Sequence, residues 1–390
     1  MSNIAFFSIY AYGHINPTLP VVKELINRGN KVWYYSFKEF QEKIESTGAT
    51  FIECDKYLPP LNDNDAKKIG KDFTLLIDMS IDTTINMEKD NISKQLQELH
   101  IDCIVSDSVC TWGKVFAKKL NISYVCSTTT FAFNQHTAKL MKQSFSEMFY
   151  MFKGMPKMIK KLQELKPLGY DVDKPQEIFS NNNDTNTIVY TSKEFQPMAD
   201  TFSDKFAFIG TSIFEPIEHL EKGDKKVVYI SLGTVLNDNL AFYKECILAL
   251  KNSNIEVIIS VGKNTDISKL GDIPDNFIVK NSVNQVAVLE IADCFISHSG
   301  MNSVNESLYY GVPMILYPQH SEELVVTNRV IELGAGIHLK RRYANSIYDT
   351  IMEVLNNTSY KNNAQKISQG LKSSGGAKSG ADFIESIINR

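Results

Sequence analysis

The sequence predicts an α/β protein of two domains, each a parallel sheet wound from βαβ units. Three observations predict it. The chain has 390 residues, more than one hydrophobic core usually organises, so two domains of ordinary size are expected, with a cleft between them. Through the first half, short β-rich runs alternate with amphipathic helical runs, a pattern that means crossover units around a parallel sheet. After Gly210 to Lys226, a stretch rich in glycine, proline and charge, the alternation starts again.

In chain order, the first strand is expected over Ile4 to Ile9 and the first helix over Leu19 to Asn27, where Leu19, Val22, Leu25 and Ile26 share one face. Asn16 followed by Pro17 reads as an N-cap with proline at N1. That leaves Tyr10 to Ile15 as a loop between a strand's carboxyl end and a helix start, where ligands of open α/β sheets bind. Strands follow over Lys31 to Ser36 and Ile101 to Ser106. From Tyr57 to Tyr170 the pattern loosens into helices and loops rich in Met, Phe and Leu, which read equally as helices packed on the sheet and as the wall of an apolar pocket. An Asn-rich loop precedes a strand over Thr187 to Thr191. In the second half, strands are expected over Lys226 to Leu232, Val257 to Val261 and Cys294 to Ser297, with a helix near Ala241 to Lys251. The expected division is 1–209, a linker 210–225, a second domain 226–372, and a last helix over 373–390 packing back toward the first domain.

Composition narrows the function. With 43% hydrophobic residues, 22% charged residues and a net charge of -4, the chain is globular and lacks the basic face that nucleic acid requires, so its partner is expected to be small. The N-terminus has no basic signal-like start and no later run of about 20 apolar residues occurs, which predicts a cytoplasmic protein without stable membrane insertion. Six cysteines without a CxxC pair read as reduced, buried thiols, not a zinc site or a disulfide frame.

The segment from Cys294 to Ile315 carries the strongest chemistry. A buried strand ends at Ser297, a turn of His298, Ser299, Gly300 and Met301 follows, and a helix opens near Asn302 with Ser303 in its first turn. Backbone N–H groups and the dipole at such a helix start attract anions, and Gly300 permits close backbone approach, so a diphosphate is the natural ligand. Glu306, one helical turn beyond Asn302, stands where a carboxylate can accept hydrogen bonds from ribose hydroxyls. Taken singly, each residue reads as part of an ordinary βα turn; together they are more specific.

With these residues in view, the chain resembles the family-1 glycosyltransferases of GT-B fold, most closely bacterial enzymes that use UDP-sugars to modify macrolides, flavonoids and other phenols. The resemblance rests on YGHINPTLPVVKELINRG, SDSVCTWGKVFAKKL, YISLGTV, SHSGMNSVNESLYYGVP and SSGGAKSGADFIESI, and spans nearly the whole chain. It implies two Rossmann-like domains facing each other across a cleft. By resemblance, His14 is the general base and Asp107 orients it. A hydroxyl is a poor nucleophile until an imidazole takes its proton, and a carboxylate sets the tautomer and stabilises the imidazolium. Taken alone, His14 reads as a loop histidine bonded to backbone and Asp107 as a helix N-cap.

The same resemblance assigns His298, Gly300, Asn302 and Ser303 to the diphosphate, Thr234 to the facing loop and Glu306 to the ribose. Fixed dipoles would then stabilise the leaving group, so neither a metal nor a cofactor is required, and the expected reaction is displacement with inversion at the anomeric carbon. The co-substrate is a nucleotide sugar, UDP-linked, with glucose as the default. The chain departs from the family pattern at two places. Ser282, Val283, Asn284 and Gln285 stand where relatives carry an aromatic residue that stacks on uracil followed by Pro-Gln, so the base is expected to be held by Gln285 and by the backbone around Ser282 and Val283, with weaker base discrimination or a different nucleotide as the alternative. Glu322 and Glu323 stand where relatives read an acid followed by Gln; a carboxylate at the second position accepts from sugar hydroxyls and suits a sugar bearing an amine. Phe131, Phe133, Met148 and Phe149 are the candidates for binding a small, partly apolar acceptor of a natural-product pathway, whether antibiotic biosynthesis or resistance.

Asp63, Asn64 and Asp65 match a DxD metal motif but lie in a Pro- and Asn-rich loop without its strand context, and Gly375 to Gly380 reads as a helix start, not a phosphate loop. Two rival functions fit the same architecture: a nucleotide-sugar epimerase, and a non-catalytic relative that binds a partner transferase.

Overall fold

A computed structural model describes residues 1–58, 73–137, 145–170, 183–216, 218–234, 239–263, 265–319 and 321–389. Asp63, Asn64 and Asp65 lie outside these, as does His320, which beside Glu322 and Glu323 reads in the sequence as part of a polar loop facing the sugar more than as a metal ligand; so do the side chains of Met148 and Phe149, although both residues belong to the helix Phe145–Leu162.

Two parallel sheets organise the chain, each the core of one compact unit. The first unit holds Met1–Tyr190, Met198–Ser212 and Gly375–Arg390; the second holds Thr191–Pro197 and Ile213–Ser374. In the first, β1 (Asn3–Phe7), β2 (Lys31–Ser36), β3 (Thr50–Glu53), β4 (Cys103–Asp107), β5 (Ser123–Thr128), β6 (Thr187–Val189) and β7 (Phe206–Phe208) run in the order β3-β2-β1-β4-β5-β6-β7. In the second, β8 (Lys226–Ser231), β9 (Ile255–Ser260), β10 (Phe277–Lys280), β11 (Cys294–Ser297), β12 (Met314–Leu316) and β13 (Gly336–His338) run in the order β10-β9-β8-β11-β12-β13. Every pairing between these strands is parallel.

The strand sequences explain why. Parallel strands are covered on both faces by crossover helices and therefore read as continuous apolar runs. All of β4 and β11 is buried, and Ile4, Ile104, Val105, Val228, Ile230 and Ile296 are 0% exposed. Both sheets reverse their winding direction once, between β1 and β4 and between β8 and β11. Adjacent loops leave the sheet in opposite directions there and open a crevice at the carboxyl ends, which is where ligands bind in this architecture.

Several local expectations are corrected. Asn16 is not an N-cap: Tyr12–Ile15 is already one helical turn, Asn16–Thr18 a 3-10 turn, and Asn16 itself is helical at φ -52 and ψ -44. The segment expected as a loop thus turns helical as soon as it leaves the sheet. Within the stretch expected to hold helices and loops, Ser123–Thr128 pairs with both β4 and β6. Its alternation is too short to separate from helix by periodicity alone. The short strands Thr50–Glu53, Phe206–Phe208, Phe277–Lys280 and Gly336–His338 also escape that reading.

The last helix, Gly376–Ile388, packs on Leu19–Asn27 in the first unit. A Cβ at Gly380 would stand 2.9 Å from Val21 Cγ2, so glycine sets the approach of the two helices. Arg28 fastens the pair, bonding Glu24 at 2.8 Å, Asp382 at 2.6 Å and Glu385 at 2.9 Å. Thr191–Pro197 is held in the second unit, where Thr191 Oγ1 donates to Asn305 Oδ1 at 2.8 Å and Arg329 donates to the Phe195 and Glu194 carbonyls at 2.9 and 2.7 Å. All six cysteines are buried free thiols, and desolvation raises the pKa of each. No described helix is long and apolar enough to cross a membrane.

Candidate functional site

The two groups of predicted residues fall at the two points where the sheets reverse. In the first unit, His14 follows β1 and Asp107 ends β4, the strands on either side of the reversal. His14 Nδ1 lies 2.7 Å from Asp107 Oδ2, and Thr129 Oγ1 lies 3.2 Å from the same nitrogen. The Asp107 side chain is 2% exposed against 21% for His14. Its second oxygen accepts the Val109 N–H at 2.8 Å, so this buried carboxylate is held from both sides. A carboxylate only accepts, so Nδ1 carries the ring proton and Nε2 carries the lone pair. Asp107 is not the N-cap of the following helix, Thr111–Leu120; Cys110 occupies that position.

The histidine turn is braced by residues that sequence reading missed. Tyr10 and Tyr12 both donate to the Glu39 carboxylate, Tyr12 at 2.5 Å, and the Tyr12 ring meets Phe40 edge-on with centroids 4.8 Å apart. Of the acceptor candidates, Phe131 is 2% exposed and Phe133 is partly exposed, both in the loop after β5. Phe131 is therefore packed into protein. Phe133 keeps a solvent-accessible face.

In the second unit, Gly233 follows β8 and His298 follows β11, again flanking the reversal. A Cβ at Gly233 would stand 2.4 Å from His298 Cε1, and one at Gly300 would stand 2.4 Å from His298 Nε2. The imidazole thus lies in a slot walled by two glycines. Gly233, at φ 80, is a residue that the sequence reading left out; its signal was the glycine directly after a buried strand. Ser299 adopts φ 75 and Gly300 leads into the helix Met301–Tyr309, which no side chain caps. By contrast Asn239 and Asn284 cap the helices Leu240–Leu250 and Gln285–Ile291. An uncapped helix start at the reversal, with partly exposed Asn302 and Ser303 in its first turn, suits an anion. Thr234 is exposed on the loop after β8.

Beside this turn, Gln285 Nε2 donates to Glu306 Oε2 at 2.6 Å and reaches Ser303 Oγ at 3.3 Å, while Tyr229 Oη donates to Gln285 Oε1 at 3.1 Å. Burial pushes the Glu306 carboxyl up to about 7, against the partly offsetting bond from Gln285. Ser282 is exposed and Val283 partly exposed ahead of the Gln285 helix. Glu322 is exposed in the first turn of Ser321–Glu332, whereas Glu323 Oε2 accepts the Gln319 N–H at 2.5 Å and so also holds the loop after β12.

Comparison with known proteins decides the family. The uncharacterized UDP-glucosyltransferase YojK of Bacillus subtilis (strain 168) is 33% identical over 404 residues, covering 100% of this chain and 98% of its own. The chain is a family-1 glycosyltransferase. NDP-glycosyltransferase YjiC of the same organism is 33% identical over 400 residues, with 100% of this chain and 98% of its own covered. Residues 244–377 of the glycosyltransferase match the model for the C-terminal domain of erythromycin biosynthesis protein CIII-like proteins. Its GT-B architecture is that of the calicheamicin glycosyltransferase CalG4, at a TM-score of 0.82 and 24% identity over 100% of this chain and 99% of the other. The glycotransferase of kitacinnamycin superposes at a TM-score of 0.84 and 23% identity over 99% and 98%. The enzyme is thus a sugar transferase that draws on a nucleotide-sugar donor.

The raised Glu306 pKa makes a pH prediction for the glycosyltransferase. Because the folded value, about 7, exceeds the ordinary value of 4.5, the folded state keeps a proton that the unfolded chain has already released between these limits. This group therefore costs nothing below about 4.5, and its penalty grows as pH rises and is complete above about 7. Glu306→Gln is expected to melt progressively higher relative to wild type from pH 5 to pH 8. A constant difference in melting temperature across that range would refute the assignment.

Proposed function

We propose that the enzyme is an inverting, metal-independent transferase that moves a sugar from a UDP-linked donor, glucose by default, to a hydroxyl of a small, partly apolar acceptor such as a macrolide, polyketide or phenol. The observation that carries this reading is the His14–Asp107 pair, 2.7 Å apart at the reversal of the first sheet. His14 Nε2 takes the proton as the acceptor oxygen attacks the anomeric carbon. Asp107, buried against Nδ1, keeps that nitrogen protonated and stabilises the imidazolium. Attack on the face opposite the diphosphate inverts the anomeric centre. The diphosphate leaves with its charge facing His298 and the start of Met301–Tyr309, whose N–H dipoles need no reorganisation and supply the stabilisation that other transferases take from a metal ion.

Relatives support the substrate class. Beside the UDP-glucosyltransferase and NDP-glycosyltransferase named above, oleandomycin glycosyltransferase of Streptomyces antibioticus is 27% identical over 99% of this chain and 91% of its own. The donor base is read without a stacked aromatic, since Ser282 offers no ring. In this reading Glu306, which accepts a bond from Gln285, takes the ribose hydroxyls, and Glu322 with Glu323 takes the sugar hydroxyls.

The test is nucleotide release from a panel of UDP- and dTDP-sugars, with and without a phenolic acceptor. The expected result is acceptor-dependent release, unchanged by EDTA, with a product of inverted anomeric configuration. Release without acceptor and an isomerised sugar nucleotide would identify an epimerase. Loss of turnover in EDTA that added metal restores would overturn metal independence.

A further inference from the structure

We infer that Thr327 is a positioning residue for the diphosphate turn, acting through a buried hydroxyl bond to Ser299. This rests on the donor-site reading above and adds a residue remote in sequence from its motif. Ser299 is the residue between His298 and Gly300 and has φ 75, a left-handed conformation that residues with a Cβ adopt only where their surroundings hold them. It is 0% exposed, so water does not hold it. Two hydroxyls do. Ser299 N–H donates to Ser297 Oγ at 3.1 Å, which closes the turn on its own strand, and Thr327 Oγ1 donates to Ser299 Oγ at 2.8 Å from the helix Ser321–Glu332. Thr327 is likewise 0% exposed.

The consequence is geometric. The left-handed residue sets the direction in which Gly300 and the Met301–Tyr309 helix leave β11, and hence where the helix-start N–H groups and the His298 ring point. The helix that supplies Thr327 also carries Glu322 and Glu323 in its first turn, and Glu323 holds the Gln319 N–H. One helix therefore braces both the diphosphate turn and the loop assigned to the sugar. Valine matches threonine in shape but leaves Ser299 Oγ without its donor inside the protein, a penalty that relaxing the turn relieves.

The experiment measures UDP binding by calorimetry, with dTDP as a second probe, together with donor KM and kcat. Thr327→Val is expected to weaken UDP binding about five- to tenfold, as the loss of one buried hydrogen bond allows, and to change kcat at saturating donor less than about twofold. Thr327→Ser, which restores the hydroxyl, is expected to bind within about twofold of wild type. Val326→Ala, at a neighbouring buried position on the same helix, controls for general destabilisation and is expected to leave binding unchanged. In a double-mutant cycle, Ser299→Ala and Thr327→Val should not add, because both remove the same bond.

Wild-type affinity in Thr327→Val, or equal weakening in Val326→Ala, would overturn the inference. Failure of the wild type itself to bind UDP or dTDP would instead overturn the donor-site reading beneath it. Thr327→Ala provides a second hydroxyl-deleting variant if the valine form does not fold.

Discussion

His14→Ala is expected to lower acceptor-dependent nucleotide release about a hundred- to ten-thousand-fold with oxygen acceptors, the range that general-base help supplies. The acceptor hydroxyl then has no group to take its proton, while the turn proposed to bind nucleotide, in the second unit, is untouched, so UDP binding should stay within about twofold. A thiophenol acceptor, ionised at neutral pH, needs no base and should lose far less rate. That contrast separates lost proton transfer from a damaged fold. Asp107→Asn should approach the same loss by another route. An amide donor facing Nδ1 drives the ring proton onto Nε2, which removes the lone pair that the acceptor needs. Full turnover of a phenol by His14→Ala would end the base assignment.

Gly300→Ala is expected to weaken UDP binding at least about tenfold. The new Cβ would lie 2.4 Å from His298 Nε2, closer than nonbonded atoms tolerate, and the imidazole is what must yield. Gly300 itself sits at φ -61 and ψ 136, which alanine adopts without strain, so the variant should melt close to wild type. Gly233→Ala presses on Cε1 of the same ring, but at φ 80 it adds backbone strain, so it should lose both affinity and stability. If displacement of His298 is the cause, Gly300→Ala in a His298→Ala background should cost almost nothing further. Unchanged UDP affinity in Gly300→Ala, measured by calorimetry, would show that the ring position is immaterial to binding.

Much of this site could be read before any coordinates. The run from Cys294 to Glu306 is legible because its parts are local: an apolar strand, a small-residue turn and a helix start follow one another within one βα step. Lys31–Ser36 and Cys294–Ser297 have the same bounds in sequence and structure, because strands covered on both faces carry an unbroken apolar signal. Less regular segments were misread. Tyr12–Ile15 carries too few residues for a helical period, and Ser123–Thr128 is six residues of mixed polarity whose strand identity comes from its neighbours on both sides.

What the sequence by itself determined is the α/β class, the two-unit plan, the strand–turn–helix step after β11 and, through its family resemblance, the residue types of a sugar transferase. What only the tertiary structure decided is which of those residues meet. His14 and Asp107 are 93 positions apart and touch because β1 and β4 are neighbours in a sheet that winds first one way and then the other. Gly233, Ser299 and Thr327 acquire roles in the same way, as walls and braces around a turn that two strands and a later helix assemble. Strand order and side-chain contact are settled by burial of the whole sheet, a property of the packed chain that no local pattern encodes.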